Sequence, residues 1–275
     1  MKKLMLLLSL AALAACGDGG RGNSGVAVPE IVHNPGLPPA PPKPKAVPFD
    51  ASATSLGENF TGHNCREVAA ALRVKNVIKD QYESTKEFKA RIEKLKESSL
   101  YDDVKLGSQF AFVYQKGGYS TYDADKGVLK FDASYIGYNV SFGESHPMLT
   151  AFKESKNERN YVGKNAFGVT ADVNYQEEQV CVVTMANLPF EGLNKSLFKI
   201  QASPERARAL SGNIAAAYVG VLMPPFIKEY RDYQRPEISR PHEIISSGED
   251  IRLRLQQVLV FDRKTGEILA TRAFK

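Results

Sequence analysis

Eight of the chain's fifteen prolines fall between Pro29 and Pro48, and that cluster divides what can fold from what cannot. In Pro38-Pro39-Ala40-Pro41-Pro42-Lys43-Pro44, φ is fixed at position after position and few amide donors remain, so neither a helix nor a central strand can form. Each proline also drives its predecessor into extended geometry, which makes polyproline II the expected conformation. At about 3.1 Å per residue, a stretch of some twenty residues spans roughly 60 Å. Upstream, residues 17–25 are polar and glycine-rich, the composition of a flexible coil. No aromatic residue precedes Phe49. Packing is therefore left to about 220 of the 275 residues, a size that suits a single domain.

The first fifteen residues read as a removable leader. Lys2 and Lys3 precede an apolar run from Leu4 to Ala15, too short to span a bilayer and right for a signal-peptide core. The run ends in Leu13-Ala14-Ala15-Cys16, which resembles the lipobox of bacterial lipoproteins. That resemblance implies diacylglyceryl transfer to the Cys16 thiol, cleavage before Cys16 and acylation of the freed amine. Two or three acyl chains, at about 0.8 kcal/mol per buried methylene, anchor a protein durably where one does not. The implied location is the bacterial envelope, with the chain facing the periplasm. Gly17 follows Cys16 and Asp18 comes one later, so the enteric sorting rule favours the outer membrane. The expected organisation is a leader over 1–15, a lipid anchor and tether over 16–55, and one globular domain over 56–275.

Within the globule, helical signals come first. Asn64 followed by Glu67 predicts a cap opening a helix through Val68, Ala71 and Leu72, and Ser84 with Glu87 repeats the device. The second helix carries Phe88, Ile92 and Leu95 on one face, with Glu87–Arg91 spaced as an i,i+4 pair. Ser203-Pro204-Glu205 starts a third helix that Gly212 ends. From about residue 106 the pattern turns to strands. Residues 109–114 are apolar on both faces, as a central strand is, and further strands are expected at 128–134, 136–142, 166–174, 179–186, 196–201, 213–222, 251–261 and 267–274. The apolar segment Ile214–Ile227 contains Gly220, Pro224 and Pro225, so it reads as a buried strand ending in a turn. Tyr122-Asp123-Ala124-Asp125-Lys126-Gly127 and Phe261-Asp262-Arg263-Lys264-Thr265-Gly266 share one pattern, with glycine at the left-handed position of a hairpin loop. The fold class is α+β: a mostly antiparallel sheet, sandwich- or barrel-like, with two N-terminal helices and one later helix.

With Cys16 lipidated, Cys65 and Cys181 are an even pair in an oxidising compartment, which predicts a disulfide. The competing reading makes Cys65 a thiolate nucleophile at a helix start, two residues after His63. Little else suggests catalysis. The histidines His33, His63, His146 and His242 lie in no zinc spacing, and no metal site or cofactor motif is present. Gly143-Glu144-Ser145-His146-Pro147 departs from a nucleophile elbow at Pro147 and reads as a surface loop. Asp123 and Asp125 lack the remaining ligands of a calcium loop. The formal charge of +5 falls to +3 without Lys2 and Lys3, too small a bias to argue for nucleic acid or an anionic membrane surface.

Glu83-Ser84-Thr85-Lys86-Glu87-Phe88-Lys89-Ala90-Arg91 and Tyr161-Val162-Gly163-Lys164-Asn165-Ala166-Phe167-Gly168 resemble segments of uncharacterised bacterial exported proteins, a likeness that implies the compartment and no activity. The expected function is that of a membrane-anchored envelope lipoprotein with a non-catalytic binding or assembly domain, partnered by another envelope protein. One alternative is a periplasmic hydrolase or thiol enzyme using Cys65 with His63, or His146. Another is a small-molecule or glycan binder using several of Tyr101, Tyr114, Tyr119, Tyr122, Tyr135 and Tyr138, although these tyrosines more simply pack on the sheet.

Overall fold

The computed structural model describes residues 45–75, 77–114, 119–134, 136–141, 144–193 and 197–274. The leader, most of the tether and Cys16 lie outside the described residues. Two helices open the folded unit, α1 (Cys65–Val74) and α2 (Thr85–Lys96). Short strands follow: β1 (Ser99–Tyr101), β2 (Val104–Lys105), β3 (Gln109–Val113), β4 (Tyr119–Asp123), β5 (Val128–Asp132) and β6 (Gly137–Ser141). Next come β7 (Glu144–Lys164), β8 (Thr170–Met185), β9 (Leu197–Gln201) and α3 (Pro204–Leu210). The chain closes with β10 (Ile214–Gln234), β11 (His242–Asp262) and β12 (Ile268–Ala273).

The helix starts follow the side chains that cap them. Asn64 Oδ1 accepts the amides of Arg66 and Glu67 at 3.0 and 3.4 Å. Ser84 and Glu87 form a reciprocal capping box, with bonds of 2.9 and 3.2 Å. Because Glu87 is held by the cap, Arg91 does not take it as partner and forks onto Glu83 instead, two bonds of 2.8 Å. Ser203 caps α3, and Gly212 follows it with φ at +74°.

The main sheet has seven strands in the order β3-β10-β11-β8-β7-β6, with β12 beside the far end of β11. Its pairs are antiparallel except β8–β11, and it does not close into a barrel. A three-stranded antiparallel sheet, β4-β5-β9, and the β1–β2 pair complete the fold. The predicted class, α+β with mostly antiparallel strands, is the one observed.

Both faces of the sheet centre are covered, and alternation along the strands decides which side chain joins which core. Phe110 and Phe112 of β3, with Ala216 and Tyr218 of β10, face the larger core, where α1 and α2 contribute Val68, Leu72, Phe88 and Ile92. Ala111, Val113, Ala215, Ala217 and Val219 face the opposite way onto Leu56, Phe49 and Phe60. The second layer is thus the segment leading into α1. Ala46 N–H donates to Asp102 at 3.0 Å and Phe49 N–H to the Gln109 carbonyl at 3.1 Å, so residues 46–55, expected in the tether, belong to the folded unit.

The strands reach further than periodicity suggests. β7 runs through 153–160, whose charged and amide side chains hide a strand held by backbone pairing with β8. Residues 165–169 form the turn between β7 and β8, so the strand expected over 166–174 starts only at Thr170. Likewise β10 does not end at its prolines. Residues 223–226, with a cis Pro224–Pro225 bond, bulge between Leu222↔Leu253 and Ile227↔Ile251, and pairing resumes to Gln234↔Ile244.

Gly127 and Gly266 both have positive φ, +62° and +73°, in the β4–β5 and β11–β12 hairpins. Their surroundings differ. A Cβ on Gly127 would lie 3.6 Å from the nearest atom, whereas one on Gly266 would sit 1.9 Å from the Leu56 carbonyl oxygen. Gly127→Ala is therefore expected to cost only the left-handed backbone term, roughly 1–2 kcal/mol. Gly266→Ala should cost clearly more, because the strap at Leu56 must move. Urea unfolding of the two variants checks the order; equal losses would contradict it.

Candidate functional site

The disulfide expected from the cysteine count is present. Cys65, the first residue of α1, is bonded to Cys181 in β8 with Cα atoms 6.0 Å apart, across 116 positions of sequence. The residues are 2% and 0% exposed. A crevice of about 500 Å³, lined by Thr61, His63, Asn64, Thr150 and Phe152, does open beside this helix start. The sulfur that would act as nucleophile there is already bonded to its partner.

His63 is also committed elsewhere. Its Nδ1 lies 3.1 Å from the Ala111 amide nitrogen and 3.3 Å from the Ala111 carbonyl oxygen, and its Nε2 lies 3.1 Å from the Val47 carbonyl oxygen. The ring rests on Phe110 with centroids 5.0 Å apart. Burial lowers its pKa below the ordinary 6.5, against the backbone bonds to Ala111 and Val47. His63 thus ties the strap at Val47 to β3, and both ring nitrogens are used on backbone. His146 and Ser145 lie not in a surface loop but on β7, paired with β6 through Asn139↔His146. His146 is buried and its Nδ1 lies 2.8 Å from the Leu188 carbonyl, while Ser145 faces the other way and is exposed.

Of the tyrosines considered for a binding patch, Tyr101, Tyr114 and Tyr122 pack against the larger core, and Tyr122 donates to the Ala202 carbonyl at 3.0 Å. Burial pushes the Tyr101 phenol above its usual range. Tyr119 and Tyr138 are exposed, and Tyr135 lies outside the described residues. Asp123 is occupied by Lys126, through its amide and its ammonium, both at 3.3 Å. Among the described residues no three His, Cys, Asp or Glu side chains gather as a metal site.

What the structure does gather is a groove. The distal halves of β7, β8, β10 and β11 extend past the core as a four-stranded arm. Where the arm leaves the body, a concavity of about 1010 Å³ lies between its face and the last turn of α1 with the chain that follows it. Register puts Ile227, Glu229, Arg231 and Tyr233 on one face, opposite Ile251, Glu249, Ser247 and Ile245. Ile78 and Arg73 supply the other wall, and Arg73 bridges to Glu249 at 3.1 Å. Ile78, Tyr233 and Ile245 are 61, 53 and 38% exposed, an apolar strip open to water. Arg231 pairs with Glu229 at 2.7 Å, so the strip is flanked by internally neutralised charges. Alongside it, β3 covers only Ala217–Val221 of β10. Among the described residues, no strand pairs with the outer edge of Ile227–Gln234.

On the opposite face of the arm's root lie buried charges. Glu178 accepts the Ser246 hydroxyl at 3.0 Å and the Lys153 ammonium, and Asp250 lies 3.9 Å from Arg252. Burial raises the Asp250 carboxyl pKa, with the Thr184 hydrogen bond opposing. The Glu178 contacts tie β8 to β7 and to β11.

None of the groove residues carries a motif. Their only signal is the period-two sequence of Ile227, Glu229, Arg231 and Tyr233, which their charges conceal.

Two outcomes follow. Native protein should take up no alkylating reagent at Cys65 or Cys181 until unfolded and reduced, and the double alanine variant should lose about 2–5 kcal/mol in urea unfolding. Uptake by native, unreduced protein would rule the bridge out. For His63, a folded pKa below the unfolded 6.5 means that the unfolded chain binds the proton more readily. That stability is complete above about pH 6.5 and falls as the pH drops toward the folded value. A urea midpoint that declines between pH 7 and 5.5, and declines less in His63→Gln, is the expected result. No protein-family model, curated protein or solved structure matches this chain, so its residues alone carry the functional reading.

Proposed function

We propose that the protein is a lipid-anchored bacterial envelope protein, fixed through Cys16 and facing the periplasm, whose folded unit is a non-catalytic binding or assembly module. The anchor rests on Leu13-Ala14-Ala15-Cys16 after a short apolar leader, and Gly17 favours the outer membrane. The buried Cys65–Cys181 bridge is compatible with an oxidising compartment. One observation carries the binding role: the groove beside the outer edge of β10 at Ile227–Gln234, which no strand among the described residues covers. An edge strand offers unpaired amides and carbonyls at every second residue, and the strip of Ile78, Tyr233 and Ile245 offers apolar contact next to it. Together they suit an extended segment of an envelope protein, bound by strand addition with alternate side chains in the groove. The hydrolase and thiol-enzyme readings lose support because the Cys65 sulfur and both His63 nitrogens are already engaged.

The test is crosslinking in living cells, followed by detergent extraction and mass spectrometry, on wild type, Cys16→Ala and Ile245→Asp. A discrete protein partner should copurify with wild type, and Cys16 should carry the mass of its acyl chains. Ile245→Asp should lower the partner at least about tenfold while leaving the lipid in place, as loss of a central apolar anchor does. Lipidated protein recovered alone would overturn the binding role, and an unmodified Cys16 would overturn the anchor.

A further inference from the structure

The far end of the arm is built differently from its groove. β8 and β11 run parallel, with His242 beside Asn174, so the β7–β8 and β10–β11 turns lie at the same end of the sheet. The Asn174 amide donates to the Pro241 carbonyl at 2.9 Å, joining one hairpin to the other turn. Each turn is closed by its own bonds. Asn165 Oδ1 accepts the amides of Phe167 and Val169 at 2.9 and 3.0 Å, and Gly168 takes φ of +86°. Glu237 and Arg240 exchange both backbone bonds, at 3.1 and 3.0 Å. The end of the arm is thus a fixed display.

What it displays is apolar. Phe167 is 92% exposed, and Val162, Ile238 and Val169 are 68, 55 and 48% exposed. These turns leave the aromatic and its neighbours in water where nothing in the described chain covers them. The charges of the two tip segments, 162–170 and 234–241, are Lys164, Arg235 and Arg240 against Glu237, a local excess of two positive charges. All three cations are exposed, and none is in an ion pair among the described residues. Asp172 and Glu243 lie further back, and Glu243 is held by the hydroxyls of Tyr161 and Tyr233 at 2.8 and 3.0 Å.

We propose that this tip is a membrane-docking end that seats Phe167 and its apolar neighbours in the surface of an anionic phospholipid bilayer, with Lys164, Arg235 and Arg240 on the headgroup phosphates. A bilayer presents this layering, with negative phosphate outside and hydrocarbon beneath, and it accepts a protruding apolar end without a matching socket. The whole-chain charge hides the feature because the rest of the surface is nearly balanced. The contact is distinct from the acyl anchor at Cys16 and from whatever the groove holds.

The chain contains no tryptophan, so Phe167→Trp places a single reporter at the tip of the full-length protein. Its emission responds to the tip's surroundings and is blind to binding through the N-terminal segment. With vesicles of phosphatidylcholine and phosphatidylglycerol the emission should shift to the blue and be quenched by brominated acyl chains; with phosphatidylcholine alone the shift should need far more lipid. Each of Lys164→Gln, Arg235→Gln and Arg240→Gln should raise the lipid needed for half the shift about fivefold. Tyr82→Trp, an 88% exposed site outside the arm, should not respond. An unchanged Phe167→Trp emission with anionic vesicles overturns the proposal, as does an equal response to both lipids. A shift produced only by lipid-free envelope protein would assign the tip to a protein socket and overturn it too.

Discussion

The ladder between β10 and β11 is the interaction on which the rest of the molecule depends. It runs from Ile214↔Asp262 to Gln234↔Ile244, and β3, β8 and β12 all dock onto one of its two strands. Its body half works because small residues line it. Ala215, Ala216 and Ala217 let a helical layer on one face and the Leu56–Phe60 strap on the other both approach the backbone. Gly220 is needed for a stricter reason: a Cβ there would sit 2.0 Å from the Arg254 carbonyl oxygen, at the point where the register slips by one residue.

The same ladder, past the proline bulge at 223–226, becomes the arm, and its energetic basis changes there. In the body, strands are held by apolar burial on both faces. Along the arm they are held by backbone pairing, by ion pairs such as Lys153–Glu178, and by aromatic–charge contacts such as Arg159 over Tyr175 at 4.6 Å. The outer strands carry Lys153, Glu154, Lys156, Glu158 and Arg159 on β7, and Lys228, Glu229, Arg231 and Asp232 on β10. Charges at exposed edges discourage indiscriminate strand pairing. That protection makes the uncovered apolar surface informative. Seven exposed large side chains, Tyr161, Val162, Phe167, Val169, Tyr233, Ile238 and Ile245, lie on the arm, either along its groove or at its end.

Much of the local structure is legible from the chain because its causes are local. Asn64, Ser84 and Ser203 cap helices through bonds to residues two or three positions away. The doubly apolar run 109–113 is a strand covered on both faces, but it lies at the sheet edge and not at its centre, because the strap and the helices bury it; Gly127 and Gly266 turn the two hairpins as their shared pattern indicates. Where cause lies far off, local reading misleads. Glu87 is spaced for Arg91, but the cap takes its carboxylate and Arg91 turns to Glu83. His63 is spaced for Cys65, but Val47 and Ala111 take its ring. Residues 153–160 lack every strand signature because their pairing needs only their backbone, and the partner supplies the rest.

The helix starts, the α+β class, the hairpin turns, the even cysteine pair and a proline-rich segment unable to form helix or central strand can all be read along the chain. Each follows from the stereochemistry of a few neighbouring residues or from counting. That the strap at 46–62 forms a second layer, that β7, β10 and β11 run on as an arm, and that Ile78 and Arg73 meet Tyr233 and Ile245 across a groove emerges only once the chain is folded. These features come from backbone pairing and close approach between segments distant in the chain, whose hydrogen bonds carry no side-chain signature.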